Sequence, residues 1–249
     1  MIQPVIAGNW KMNKHIGEAV AFARRLRAAF ATPPAREVII APPFTALHAV
    51  AEALRGSCIR MAAQTLHEAE KGAFTGEISG GMLREAGCTH VIVGHSERRT
   101  LFGESDGSIN RKLRAALIAG LQPIFCIGES LRQREAGETP KVIEGQLKEG
   151  LNNLTADDIG LCIIAYEPVW AIGTGKTASP EQAQEVHRFI REWIARQYGG
   201  AAAERLAILY GGSVTPANAA ALLAQPDING ALVGGASLDV DSFVQVIGH

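Results

Sequence analysis

The chain has 249 residues, 47% of them hydrophobic and 20% charged. That is enough apolar surface for a full-sized core, and it excludes a disordered polypeptide. Lys and Arg number 24 against 25 Asp and Glu, for a net charge of -1, so the basic excess of a nucleic-acid binder is absent. No run of ~18 apolar residues is present to cross a membrane. Met1-Ile2-Gln3-Pro4-Val5-Ile6 lacks the basic and apolar regions of a signal peptide, which points to the cytoplasm. Cys58, Cys88, Cys126 and Cys162 lie 30 or more residues apart without a Cys-x-x-Cys pair, a poor spacing for zinc or a disulfide framework.

In chain order, short apolar runs alternate with helical periodicity. Val5-Ile6-Ala7 leads into Gly8-Asn9, and Val20, Phe22, Ala23, Leu26 and Phe30 then follow a helical spacing. Val38-Ile39-Ile40 precedes Ala41-Pro42-Pro43, and Ile59 to Ala63 precedes Gln64. Val91-Ile92-Val93 leads into Gly94-His95, after which Ile109, Leu113, Ala116 and Leu117 share one helical face. Ile124 to Ile127 leads into Gly128-Glu129, and Cys162 to Tyr166 into Glu167-Pro168. Ser179-Pro180-Glu181-Gln182 is a helix start, with serine as cap and proline in the first turn. Val186, Phe189, Ile190, Trp193 and Ile194 continue that helix. Ala207 to Tyr210 leads into Gly211-Gly212, Thr215-Pro216 opens a further helix, and Ala231-Leu232-Val233 leads into Gly234-Gly235.

The runs are apolar at odd and even positions alike, as in parallel strands covered on both faces. Eight such βα units predict the α/β class and a (β/α)8 barrel, a single domain over residues 1–249. A doubly wound open sheet is the alternative. The 27 glycines exceed the usual ~7% and gather just after the apolar runs rather than in a linker.

Barrel enzymes carry their chemistry at the C-terminal strand ends. The polar residues at those ends are Asn9, Lys11, His95, Glu167 and Ser213. Glu167 precedes Pro168, which restricts its backbone to an extended geometry; a fixed, poorly solvated carboxylate suits a general base, the alternative being a structural ion pair. If Ser96 opens a helix, the positive helix end disfavours a charged His95, and a neutral ring can donate to a carbonyl oxygen. The other histidines, His15, His48, His67, His90, His187 and His249, have no such context and read as structural. Lys11 can neutralise an anion or form a Schiff base. Gly175-Lys176-Thr177 ends like a P-loop, but Trp170 stands where its first glycine belongs. Residues 168–177, apolar in the middle with small or rigid ends, instead suit a lid. Gly211-Gly212-Ser213 and Gly234-Gly235 can bring backbone N–H groups up to a phosphate. The long loop from Gln64 to Gly76 carries Phe74 near its tip, which suggests docking to another subunit.

Several segments together resemble the triosephosphate isomerase family. They are Gly8-Asn9-Trp10-Lys11-Met12-Asn13, Gly72-Ala73-Phe74-Thr75-Gly76-Glu77, Val93-Gly94-His95-Ser96-Glu97-Arg98-Arg99 and Cys126-Ile127-Gly128-Glu129. They continue with Ala165-Tyr166-Glu167-Pro168-Val169-Trp170-Ala171-Ile172-Gly173-Thr174-Gly175, Tyr210-Gly211-Gly212-Ser213 and Val233-Gly234-Gly235-Ala236-Ser237. The resemblance implies a cofactor- and metal-independent interconversion of dihydroxyacetone phosphate and D-glyceraldehyde 3-phosphate, in glycolysis and gluconeogenesis. It implies Glu167 as base, His95 as neutral electrophile, Lys11 as electrostatic stabiliser and Asn9 as an orienting group. It implies phosphate binding by Gly173, Ser213, Gly234 and Gly235, with Glu97 and Cys126 as supporting neighbours. It also implies a homodimer through the 64–77 loop, with Phe74, Thr75 and Gly76 in the interface and Thr75 near Asn9 and Lys11 of the partner subunit. One position departs: Thr65 follows Gln64 where the family usually has Asn or Asp, and its shorter side chain is expected to lose a hydrogen bond that braces the loop.

Overall fold

The computed structural model describes residues 2–30, 32–172 and 177–249. All eight apolar runs are strands: β1 Val5–Asn9, β2 Glu37–Ala41, β3 Arg60–Ala63, β4 His90–Val93, β5 Gln122–Ile127, β6 Ile163–Tyr166, β7 Ala207–Tyr210 and β8 Gly230–Val233. Each pairs in parallel with the next, and β8 returns to β1 with Val5 opposite Gly230 and Ile6 opposite Ala231. The sheet is therefore a closed barrel, and the open-sheet alternative falls.

Alternation along each strand divides the core into two layers. Val5, Ala7, Ile39, Ala62, Ile92, Ile124, Cys126, Ile163, Ala165 and Leu209 pack together as one buried cluster, the barrel interior. Residues of the opposite parity, such as Ile6, Val38, Ile40, Val91, Val93 and Ile164, pack with Phe22, Leu26, Leu113, Ile190 and Phe243 of the surrounding helices. Both parities are apolar because both faces of every strand are covered.

The predicted helices form at Ile16–Ala29, Asp106–Ile118, Pro180–Tyr198 and Pro216–Leu223. The Ser179 hydroxyl accepts from Gln182 N, and the Gln182 side-chain Oε1 accepts from Ser179 N at 3.0 Å, so two otherwise unpaired N–H groups are capped. Thr65 does not leave its loop unbraced. Its hydroxyl lies 3.1 Å from Lys112 Nζ, which donates to it, and Lys112 also pairs with Glu104 at 2.6 Å. The shorter side chain is thus held by a long lysine 47 residues away.

Candidate active site

The C-terminal strand ends open on a cavity of about 420 Å³. Asn9, Lys11, His95, Glu97, Glu167, Ser213, Gly234 and Gly235 all line it, as do Ile172 and Gly211. Gly173, expected at the phosphate, lies outside the described residues, as do residues 174–176 of the expected lid.

Glu167 is 1% exposed. Its backbone N–H donates to Ile127 O at 2.7 Å, and Gly211 N donates to Tyr166 O at 2.7 Å, so both neighbouring strands hold it. Two glycines make room for it. A Cβ at Gly128 would fall 1.7 Å from Glu167 O, and a Cβ at Gly211 would fall 2.9 Å from Glu167 Cγ. The first contact is with backbone and cannot be relieved by a side-chain rotation. Gly128→Ala is expected to destabilise the protein by about 3 kcal/mol, a fall in Tm of roughly 6–12 °C. Differential scanning calorimetry checks this; an unchanged Tm would mean that the ends of β5 and β6 have slack.

Glu167 Oε2 accepts from Ser96 N at 2.9 Å. Oε1 lies 2.8 Å from His95 Nε2, but off the line of an N–H bond, so this buried oxygen has no aligned donor. On the other side of the ring, Glu97 N donates to His95 Nδ1 at 3.2 Å. His95 is thus the N-cap of the helix Ser96–Leu101. An Nδ1 that accepts a hydrogen bond carries no proton, which leaves the proton on Nε2, facing the cavity.

Burial disfavours a charged His95. The charges of the adjoining Glu167 carboxylate and of Glu97 behind it act the other way and hold its pKa above the usual histidine value, although Lys11 opposes them. The helix end is met at Nδ1 by the Glu97 N–H, but the net direction is opposite to the disfavoured charge expected from the sequence. The carboxylate at Nε2 is the additional influence, and it comes from the residue just past β6, 72 residues further along.

Lys11 Nζ donates to Glu97 Oε1 at 2.5 Å. Its backbone is left-handed, with φ of 52°, a geometry that costs a non-glycine residue of order 1 kcal/mol or more. Asn9 Oδ1 accepts from Lys11 N at 3.0 Å, and Gln64 Nε2 donates to Lys11 O at 2.8 Å and Ala41 O at 2.9 Å. These bonds hold the strained residue and aim the ammonium into the cavity. Gln64 was not among the predicted site residues; its position just after β3 was the available signal.

Gly234 and Gly235 leave open space. An added Cβ would meet only Lys11 Cε at 3.9 Å in the first case and nothing within 4 Å in the second. Packing therefore does not require glycine there, whereas close approach of a ligand to the backbone would. Cys126 is fully buried inside the barrel beside this site, and burial, then the Glu167 charge, push its thiol well above the ordinary range. It is an inert packing residue here. Behind the expected lid, buried Glu129 accepts at Oε1 from Tyr166 Oη at 3.1 Å and Trp170 Nε1 at 3.0 Å. Among the described residues, no three His, Cys, Asp or Glu side chains cluster as metal ligands. Phe74, Thr75 and Gly76 stand apart from the cavity lining, on an exposed loop tip where Phe74 is 46% exposed and its ring lies on His67 at 4.0 Å. Among the described residues no helix is long and apolar enough to cross a membrane.

The family profile described as triosephosphate isomerase matches residues 4–249. The chain is 52% identical over 247 residues to the triosephosphate isomerase of Endomicrobium trichonymphae, covering 99% of this chain and 98% of the relative. It is 52% identical over 249 residues to that of Geobacter metallireducens, covering 100% and 99%. The crystal structure of triosephosphate isomerase from Bartonella henselae superposes with a TM-score of 0.89 at 41% identity, covering 98% of each chain. With its closed barrel and its Glu167–His95–Lys11 cavity at the strand ends, the chain belongs to the triosephosphate isomerase family.

Proposed function

We propose that this chain interconverts dihydroxyacetone phosphate and D-glyceraldehyde 3-phosphate through an enediolate, as one barrel domain. The observation that carries the reading is the opposition of Glu167 Oε1, buried without an aligned donor, to the proton-bearing His95 Nε2 at 2.8 Å. The two groups face each other at the cavity. A substrate bound between them gives each a new partner. Glu167 takes a proton from the carbon next to the carbonyl, and His95 Nε2–H donates to the oxygen that becomes negative. Glu167 then returns the proton to the neighbouring carbon while His95 relays the hydroxyl proton. Lys11 and Asn9 meet the oxyanion charge with donors already in place, which is where most of such catalysis arises. Lys11 is ion-paired to Glu97, so it acts as a fixed positive charge rather than as the free amine nucleophile of a Schiff-base aldolase.

The phosphate lies against Gly234, Gly235 and Ser213, with Gly173 joining from the lid over 168–177. That lid excludes water and holds the intermediate against phosphate loss. Gly235→Ala is expected to leave the fold intact, since its Cβ meets nothing, yet to raise KM roughly tenfold by blocking a charge-assisted hydrogen bond. An unchanged KM would move the phosphate elsewhere. The exposed tip at Phe74, Thr75 and Gly76, with exposed Met82, Leu101 and Phe102, supports a homodimer through the 64–77 loop. Membership of the family supports a place in glycolysis and gluconeogenesis, in the cytoplasm.

The deciding experiment is a coupled assay with D-glyceraldehyde 3-phosphate on the wild type and Glu167→Gln. The wild type is expected to turn over and the variant to be nearly inactive. Equal rates would favour a binding protein that merely keeps the barrel, and trapping of substrate on Lys11 by borohydride would favour an aldolase.

A further inference from the structure

Arg99 does not line the active-site cavity, yet its side chain bonds to the ends of two strands that support the site. The paired register of β4 and β5 stops at Val93 opposite Phe125. There the chain leaves β4 through Gly94, whose φ of 74° is left-handed and suits glycine. β5 runs on to Ile127 beside β6. Successive carbonyls of a strand point to opposite neighbours. Ile127 O turns toward β6, where it accepts from Glu167 N at 2.7 Å, so Cys126 O turns toward β4, which has already ended. A buried carbonyl in that position needs another donor.

The Arg99 guanidinium takes the place of the missing rung. Its Nε donates to Gly94 O at 2.8 Å and its Nη2 to Cys126 O at 3.1 Å. A Cβ at Gly94 would fall 3.3 Å from Arg99 Nη2, so the glycine also lets the guanidinium lie close. The third arm, Nη1, donates to Asp106 Oδ1 at 2.5 Å, in the first turn of the helix Asp106–Ile118. The neighbouring Arg98 has a plainer role: it pairs with Glu104 at 2.5 Å and lies over the Phe102 ring at 4.7 Å.

Both carbonyls are one peptide away from the reacting pair. Gly94 O belongs to the peptide that leads into His95. Cys126 O belongs to the peptide that leads into Ile127, whose own carbonyl holds the Glu167 backbone. Arg99 itself sits in the six-residue helix Ser96–Leu101, whose first N–H groups bond Glu167 Oε2, from Ser96, and His95 Nδ1, from Glu97. One planar side chain thus ties that short helix to β4 and β5 together. We propose that Arg99 is a positioning residue of the isomerase, whose bonds to Gly94 O and Cys126 O set the separation of His95 from Glu167. The inference rests on the isomerase reading of those two residues. A lysine could still pair with Asp106, but its single nitrogen cannot span both carbonyls in the fixed geometry of the guanidinium fork.

The test compares Arg99→Lys with Asp106→Asn in steady-state kinetics. Arg99→Lys is expected to lower kcat by roughly 10²-fold, the cost of about 1 Å of misplacement, with KM within about threefold of the wild type because Gly234 and Gly235 are untouched. Asp106→Asn breaks the ion pair and leaves both carbonyl bonds, so its kcat is expected to stay within about threefold of the wild type. A kcat for Arg99→Lys within about threefold of the wild type overturns the proposal. So does an equal loss of kcat in the two variants, which would make the ion pair the operative contact. Should Arg99→Lys not fold, solvent exchange in the wild type decides by NMR. The Arg99 Nε–H is expected to exchange roughly tenfold or more slowly than that of exposed Arg24, the worth of one hydrogen bond to a charged group. Equal exchange rates overturn the proposal. Turnover of D-glyceraldehyde 3-phosphate by the wild type decides the isomerase reading separately: an active wild type with an equally active Arg99→Lys ends this inference alone.

Discussion

Glu167→Asp is expected to lower kcat by roughly 10²–10⁴-fold while leaving KM within about threefold of the wild type. The substitution keeps the carboxylate and its charge, and withdraws it by one methylene, ~1.5 Å. The backbone cannot follow to restore contact. Glu167 N is tied to Ile127 O at 2.7 Å, its carbonyl sits hard against Gly128, and its Cγ sits hard against Gly211. A carboxylate that falls short of the carbon loses proton transfer, whereas the phosphate contacts at Gly234 and Gly235 are untouched, so binding persists. Steady-state kinetics in both directions measure the split. A kcat near the wild type would remove Glu167 as the base.

His95→Gln is expected to lower kcat by roughly 10²–10³-fold, the usual worth of one donor aimed at a developing oxyanion, with little change in Tm. Glutamine can still accept from Glu97 N, so the helix Ser96–Leu101 keeps its cap. What it lacks is the rigid placement of an N–H at the Nε2 position, and with it the ability to relay a proton. Normal turnover would end the electrophile role. A companion measurement separates the ring from its neighbour. Glu167→Gln removes the charge that raises the His95 pKa and leaves burial, which lowers it. The His95 pKa is therefore expected to fall in that variant, by NMR titration, so that the neutral ring extends to lower pH. A rise would show that the carboxylate is not what sustains the charged form.

Much of the architecture was legible because it is local. Runs such as Val91-Ile92-Val93 and Ile163-Ile164-Ala165 are apolar at every position, and that pattern follows from cover on both faces wherever the strand lies. Ser179-Pro180 marks a helix start from the needs of the first turn alone. The candidate site was legible for a related reason: in a barrel the residue just past each strand points to one end, so Asn9, Lys11, His95, Glu167 and Ser213 could be gathered without coordinates, and all of them line one cavity.

What remained hidden are contacts between segments far apart in the chain. Ser96 N on Glu167 Oε2 spans 71 residues, Lys11 on Glu97 spans 86, and Gln64 reaches back 53 residues to the Lys11 carbonyl. No periodicity records such partners. Thr65 was read as a lost brace because its own size is visible in the sequence, while the lysine that reaches it, 47 residues away, is not.

The amino-acid sequence by itself determined the eight strands, four of the helices around them, and which polar groups stand at the strand ends. Those properties depend on side-chain size, polarity and backbone preference within a few residues. Closure of the sheet, with β1 against β8 across 225 residues of chain from Val5 to Gly230, was decided only by the tertiary structure. So was the apposition of Glu167 with His95 and Ser96. Parallel pairing satisfies backbone hydrogen bonds with whichever strand the fold brings alongside, and an isolated segment holds no record of its neighbour.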